Sequence, residues 1–231
     1  MSTAFLFNNK MMKYGTHVMG ISSSPTPDYN PLNLPPYTIR LQYNSGVTPS
    51  FIQGTGVQVS QSPNVWDLTY NDTDWGGLLY THDDLLKVLG ANSTGVTDMG
   101  GMFRSCDNLN EVNIFDTSSV TDMGVMFADC EYITTLPQFD TSKVTNFNSA
   151  FYGCIRLTPL PLIDTSSATD VEGMFMNNRW STGMLALYTQ MSTQANPPSS
   201  HSYCFKNCGD YISEGQAELA QIPSSWGGTG A

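Results

Sequence analysis

The residues best suited to chemistry in this chain are three histidines and five cysteines. His201, Cys204 and Cys208 form the closest grouping of metal-binding residue types, in the sequence HSYCFKNC. A structural zinc site normally uses four ligands, so this group is one ligand short. Cys208 also follows Phe205 at a Phe-x-x-Cys spacing that recurs elsewhere in the chain, which favours packing over zinc binding. We therefore predict no metal site and no cofactor.

The sequence carries none of the common catalytic signatures. It has no G-x-S-x-G, no Walker-type loop, no H-E-x-x-H and no distinctive pair of carboxylates. His17 and His82 stand apart from any such pattern. We predict no catalytic residue and no enzyme activity. A glycan hydrolase is the alternative, and it would be supported by turnover of host capsule that is lost when one carboxylate is replaced.

Three acidic residues recur at a fixed spacing. Asp116, Asp140 and Asp164 are 24 residues apart, and each opens an Asp-Thr-Ser triplet. A column of carboxylates could bind a cation such as calcium. Alternatively, the Asp and Thr side chains hold a tight turn by bonding to nearby backbone N–H groups. Because no glycine-rich calcium loop accompanies the triplets, we predict turns.

The same spacing extends over a whole phrase of sequence. FDTSSVTDMGVMFADC begins at Phe115 and returns in altered form from Phe139 and Ile163, with a more divergent copy from Ala91. A period of this length is typical of proteins in which each repeat packs against the next. The most constant positions are apolar, and we predict that they are core: Phe103, Phe127, Phe151, Phe175, Cys106, Cys130 and Cys154.

The cysteine column has two interpretations. Stacked repeats could bring the Cα atoms within disulfide range. However, an odd number of cysteines at this spacing does not resemble a disulfide framework. We predict buried, unreactive thiols that act as small apolar residues.

The apolar spacing within one repeat predicts its local structure. VTDMGVMFADC has apolar residues every three or four positions, which favours a short helix. TTLPQFD and TPLPLID are candidates for a strand that lines one face of the stack. The fold class predicted is an α/β solenoid with a 24-residue period, a small β-rich N-terminal cap and a helical C-terminal cap.

The composition divides the chain into five segments. These are a leader or docking segment at 1–21, a Pro/Ser-rich linker at 22–36, a β-rich cap with a helix at 37–90, leucine-rich-type repeats at 91–179, and a C-terminal cap with a divergent last repeat at 180–231. We expect the linker to be extended and semi-rigid. A cap is required because the first repeat would otherwise expose its core.

The caps contain three predicted helices. The first follows a capping signature at Thr81 and ends at Gly90. The second covers STGMLALYTQM, in which Met184, Leu187 and Met191 fall at helical spacing. The third follows a capping-box pattern that begins at Ser213.

Charge and hydropathy limit the partners. The net charge is −11 with only nine basic residues, which argues against a nucleic-acid partner. No apolar stretch approaches the ~18–20 residues that span a bilayer, and the N-terminus does not read as a secretory signal. Phe5, Phe7 and Tyr14 in the leader are candidates for docking on another protein, and a disordered tail is the alternative.

The repeated phrase resembles the BspA-like leucine-rich repeats of bacterial surface proteins. The resemblance covers residues 91–178, where Asp-Thr-Ser, Val-Thr, Met-Phe and Cys keep register. The flanking PPYTIRLQY, SPNVWDLTY and AQIPSSWGGTGA are similar to stretches that bracket such repeats in proteins of gut bacteria and their bacteriophages.

The resemblance implies a non-enzymatic structural or adhesion protein. Members on cells normally carry an export signal or a lipid anchor. We expect neither in this chain, and this favours a phage virion fibre or decoration subunit. The expected partners are other virion proteins, bound through the leader, and a host surface glycan or protein. We expect a homo-oligomer with no nucleic-acid or membrane partner. A bacterial surface adhesin or secreted interaction protein is the alternative, with the bacterial cell surface as its location.

Overall fold

The computed structural model describes residues 29–230 and two short strands nearer the N-terminus. The β-strands are β1 (Phe5–Phe7), β2 (Lys10–Met12), β3 (Thr38–Tyr43), β4 (Thr55–Gln61), β5 (Asn64–Thr69), β6 (Leu85–Asn92) and β7 (Glu111–Val112). The helices are α1 (Met184–Thr193), α2 (Ser213–Leu219) and a 3-10 helix at Ser224–Trp226. In the described residues, no helix is long and apolar enough to cross a membrane.

The predicted α/β solenoid is wrong. The regular secondary structure of the described residues is a small mixed sheet of five strands with two short α-helices, and the sheet is neither closed nor curled. The strands follow the order β4-β5-β3-β6-β7. Neighbours are antiparallel except β6 and β7, which are parallel. β1 and β2 form a separate antiparallel pair.

The helix predicted after Thr81 is also wrong, because this segment forms β6. Its apolar residues recur every three positions, yet two β-bulges interrupt the pairing of β6 with β3. The bulges skip Leu86 and Leu89, so that Leu85 and Val88 both point into the core. A helix-like spacing is therefore produced by an irregular strand.

The repeats consist of turns that stack on one another at the 24-residue spacing. Alternate backbone N–H groups bond to the next repeat: Gly101 donates to the carbonyl of Gly124 at 2.7 Å, and Phe103 to that of Met126 at 2.9 Å. The N–H groups between them bond within the turn, as Arg104 does to Gly101 at 3.1 Å. Both sets of donors are thereby satisfied without a helix or a ladder of strands.

Backbone conformation explains why the predicted helix of each repeat does not form. Two places per repeat have positive φ, which interrupts a right-handed helix. In the second repeat they are Val125 (φ 50°) and Asp129 (φ 61°). Gly, Ser and Asn fill most of the equivalent places, since these residues tolerate a left-handed conformation better.

The predicted strands TTLPQFD and TPLPLID do not form either. Proline lacks the N–H that a ladder requires, and Pro137, Pro159 and Pro161 fall in these two segments. The sheet therefore ends at the two-residue strand β7, which lies one repeat before TTLPQFD.

The core runs through the sheet and the stacked turns as one cluster. Its centre is a column of phenylalanine rings with neighbouring centroids 5.2 to 6.0 Å apart and nearly parallel planes: Phe103, Phe127, Phe151, Phe175 and Phe205. Each repeat adds one ring, so each depends on its neighbours for burial.

The C-terminal segment contains the two helices predicted there. α1 buries Met184, Leu187 and Met191. α2 begins at Ser213, but the predicted capping box is wrong, because Ile212 is the N-cap residue and no side chain caps the helix. Glu218 instead accepts hydrogen bonds from the N–H groups of Gly183 and Leu185 at the start of α1, which ties the two helices together.

Candidate binding surface

The Asp-Thr-Ser triplets hold turns. Asp116, Asp140 and Asp164 each accept the N–H two residues ahead, at 3.0, 3.1 and 2.9 Å. Thr117 and Thr141 are buried and donate to carbonyls of the next repeat. The Asp side chains thus hold local turns, as in the turn interpretation, whereas the Thr hydroxyls bond between repeats and not within the turn.

The cysteines are buried, free thiols. Cys106, Cys130 and Cys154 each donate through Sγ to a carbonyl of the preceding repeat, at 3.0 to 3.1 Å. Burial raises the pKa of Cys106 to about 12, and it also raises the pKa of Cys130 and Cys154. A thiol in such an environment is a poor nucleophile and a poor metal ligand.

The structure does not bring His201, Cys204 and Cys208 together as a metal site. Both cysteines are fully buried in the core, while the His201 ring stacks on Trp226 with centroids 4.2 Å apart. No group of three or more His, Cys, Asp or Glu side chains in the described part of the chain could hold a metal ion.

A second acidic column was not predicted from the sequence. Most of its members line an open groove of about 510 Å3. The members of this column are joined from turn to turn by parallel β-bridges: Asp74, Asp98, Asp122, Asn146 and Asp170. Each accepts the N–H two residues ahead. The turn at Asp74 has lost most of the repeated phrase, so only the structure shows that it stacks on the others.

Like charges within this column affect each other. The pKa of Asp98 is raised, chiefly by burial and also by Asp122 and Asp74. Asn146, in the next turn of the column, reduces the repulsion between carboxylates, because it carries no charge and its Nδ2 donates to Asp122 Oδ2 at 2.9 Å. The carboxylates therefore serve the turns, and Asn148, a further polar residue of the groove lining, donates to Asp170 Oδ2 at 3.3 Å.

The basic residues have a distinctive arrangement. Two of the nine, Lys10 and Lys13, precede residue 29; of the seven in the described range 29–230, four lie over a tyrosine ring. The pairs, with distances to the ring centroid, are Arg104 over Tyr80 at 5.4 Å, Arg156 over Tyr132 at 4.1 Å, Arg179 over Tyr211 at 4.9 Å and Lys206 over Tyr203 at 4.7 Å.

Four of these residues, together with Trp180, form a surface group that we name the aromatic band: Tyr132, Arg156, Arg179, Trp180 and Tyr211. Tyr132, Arg156 and Trp180 are 24 residues apart and take the same place in three successive repeats. The Trp180 and Tyr211 rings meet edge to face, with centroids 5.5 Å apart. Trp180 is 50% exposed and Tyr211 is 55% exposed. Exposed aromatic side chains that cluster in this way mark binding sites.

Stacking leaves binding groups available in the aromatic band. A guanidinium that lies flat on a ring still presents the N–H donors along its edge. Within the described residues, Arg156 makes no ion pair, while Arg179 contacts Asp210 at 3.4 Å and donates to the Tyr211 hydroxyl at 2.9 Å. The band thus combines flat apolar surface with donors suited to carboxylates and hydroxyls.

Sequence reasoning missed the aromatic band, although a signal was present. Arg104 follows Tyr80 by 24 residues, and Arg156 follows Tyr132 by the same interval. Exposed positions of a repeat vary, so only a comparison of neighbouring repeats at equal positions reveals such pairs. Of the residues predicted to dock in the leader, Phe5 and Phe7 lie in β1, where only the backbone is described, and Tyr14 lies outside the described residues.

Residues 83–186 match the model of a protein family described as Mycoplasma protein of unknown function, DUF285. That family is related to the BspA-like repeat proteins, so the match supports the repeat part of the resemblance and gives no support for membership of a phage virion. The match covers slightly less than half of the 231 residues. No curated protein and no solved structure matches the chain.

Proposed function

We propose that this protein is a non-enzymatic adhesion protein that presents the aromatic band to the surface of a bacterial cell. The observation that carries the proposal is the exposure of Trp180 and Tyr211 beside Arg179, with Arg156 at the place of Trp180 in the preceding repeat. Single exposed aromatic residues are common on protein surfaces, whereas several grouped on one surface are typical of binding sites. Their grouping with cations on one surface is what a binding site requires.

The chemistry of the aromatic band favours sugars that carry a carboxylate. Aromatic rings pack against the C–H faces of sugar rings, and guanidinium groups bind carboxylates through paired N–H donors. The rest of the molecule is acidic, with a net charge of −11, so an anionic ligand would be held only where the arginines lie.

The binding test uses envelopes of the bacterium in which the protein is naturally produced. Purified protein is mixed with the envelopes and the bound fraction is measured by sedimentation. Trp180→Ala together with Tyr211→Ala should weaken binding about tenfold or more, a loss typical of central aromatic contacts. Leu162→Ala is the matched control, because Leu162 is an exposed apolar residue, 40% accessible, outside the aromatic band.

A second pair of variants tests the ligand class. Arg156→Gln should lower binding to carboxylate-bearing glycans more than binding to neutral glycans, whereas Arg104→Gln, outside the aromatic band, should change neither. If all variants bind the envelopes as the unaltered protein does, the aromatic band is not the adhesion surface.

We further propose that the protein is a virion fibre or decoration subunit, attached through the leader. This proposal rests on the similarity of the flanking segments to phage proteins. Mass spectrometry of purified phage particles should detect the chain. If it is absent from particles and is found in the envelope fraction of cells without phage production, the bacterial adhesin is the better account.

A further inference from the structure

Strand β4 is an open edge of the five-stranded sheet. It stands at one end of the strand order and pairs only with β5 in the described part of the chain. At the opposite end of the sheet, β7 is only two residues long and pairs with β6. β4 therefore presents a row of backbone N–H and C=O groups that another strand could use.

Two apolar side chains of β4 are accessible, with a third in the loop before it. Val57 is 57% exposed and Val59 is 47% exposed, and Ile52, in the preceding loop, is 86% exposed. Natural edge strands are protected by charged residues, proline or bulges. β4 has no charge and no proline along its seven residues, and its pairing with β5 has a register shift between Gln58 and Ser60.

Charge distinguishes this edge from the rest of the molecule. From Leu41 to Trp66 the chain has no acidic or basic residue, although its net charge is −11. Two copies repel each other wherever acidic surfaces meet. The uncharged edge is the place where two copies approach without that repulsion.

We propose that β4 pairs with β4 of a second copy of this chain, in antiparallel orientation about a two-fold axis. Antiparallel pairing of one strand with itself gives a self-complementary interface. It joins the two sheets into one and covers Val57 and Val59 in both copies. The aromatic band lies on the repeats, outside this edge, so the dimer would present two bands and gain avidity.

The test measures oligomeric state and backbone protection in the full chain. Light scattering after size exclusion should give a dimer at high protein concentration. Amide hydrogen exchange should show slower exchange for residues 55–61 as the dimer forms. Val57→Lys together with Val59→Lys places charges on the edge and should shift the protein to monomer while leaving its circular dichroism unchanged.

The control adds the same charge elsewhere. Leu162→Lys together with Ala217→Lys alters exposed positions far from β4 in sequence and should leave the dimer intact. Three outcomes overturn the proposal: a monomer at all concentrations, an oligomer that survives the β4 lysines, and a dimer whose 55–61 amides exchange as fast as in the monomer. Failure of the dimer would leave the envelope-binding result unaffected, since that assay tests other residues.

Discussion

Asn178 occupies a place in the repeat that belongs to cysteine in the three preceding copies. Its side chain is fully buried, and neither Oδ1 nor Nδ2 has a hydrogen-bond partner. The equivalent thiol of Cys154 donates instead to the carbonyl of Phe127 at 3.1 Å. A buried amide without partners costs free energy that a small thiol in the same place does not.

Asn178→Cys should therefore stabilise the protein. Removal of the unpartnered amide is expected to raise the free energy of unfolding by about 1–3 kcal/mol, as measured by chemical denaturation. The reverse change in the neighbouring repeat, Cys154→Asn, should lower it. An unchanged or lowered free energy of unfolding for Asn178→Cys would contradict the claim that the buried amide costs stability.

The buried thiols predict a stability loss at alkaline pH. Burial raises the pKa of Cys106 to about 12, whereas the same thiol in the unfolded chain ionises near pH 9. The stabilisation is complete below the unfolded pKa and is lost as pH rises from about 9 towards the folded pKa. Denaturation midpoints should therefore fall between about pH 9 and pH 12. Rapid reaction of native protein with a thiol reagent at pH 8 would contradict the burial of all five cysteines.

At the scale of the element, the stacked turns set the geometry of both surfaces. Each turn bonds to the next through alternate N–H groups, which places equivalent side chains in columns. In the acidic column this brings carboxylates close together, and in the aromatic band it places Arg156 over Tyr132. The same backbone arrangement therefore produces repulsion in one column and attraction in the other.

Asp98→Asn should raise the thermal midpoint at neutral pH. The amide keeps an oxygen to accept the Gly100 N–H and gains a donor, as Asn146 has in the same column. In the folded protein the pKa of Asp98 is raised, so the protonated carboxyl group contributes stability at low pH. This contribution is lost as pH rises through the folded pKa. The advantage of the variant should accordingly vanish in acid. Asp164→Asn, which alters a turn outside this column, is the control, and an equal gain there would refute the repulsion.

The sequence supports some of these elements and misleads on others. Phe103, Phe127 and Phe151 could be assigned to the core because they recur at the same place in every repeat, and they are buried. The helix within the repeat could not be excluded from the sequence, because valine at position 125 gives no sign that its backbone adopts a positive φ. The apolar spacing of β6 resembles that of a helix because two bulges shift its pairing with β3. Bulges depend on the partner strand, so the local sequence does not predict them.

At the scale of the whole molecule, charged residues are unevenly distributed along the chain. The edge strand β4 is uncharged, the groove is acidic, and four of the seven described basic residues lie on tyrosines. The period of 24 residues indicated stacking but not which positions face outward with an aromatic ring. That information arises only when repeats are placed side by side.

The most direct test of the adhesion surface is oxidative footprinting of the protein bound to envelopes of its bacterium, read by mass spectrometry. Trp180 and Tyr211 are exposed in the free protein, while Trp75 is fully buried and serves as an internal reference. We predict that binding strongly reduces oxidation of Trp180 and Tyr211 and leaves exposed Tyr80 unchanged. Binding that leaves Trp180 and Tyr211 as reactive as in the free protein would contradict the account.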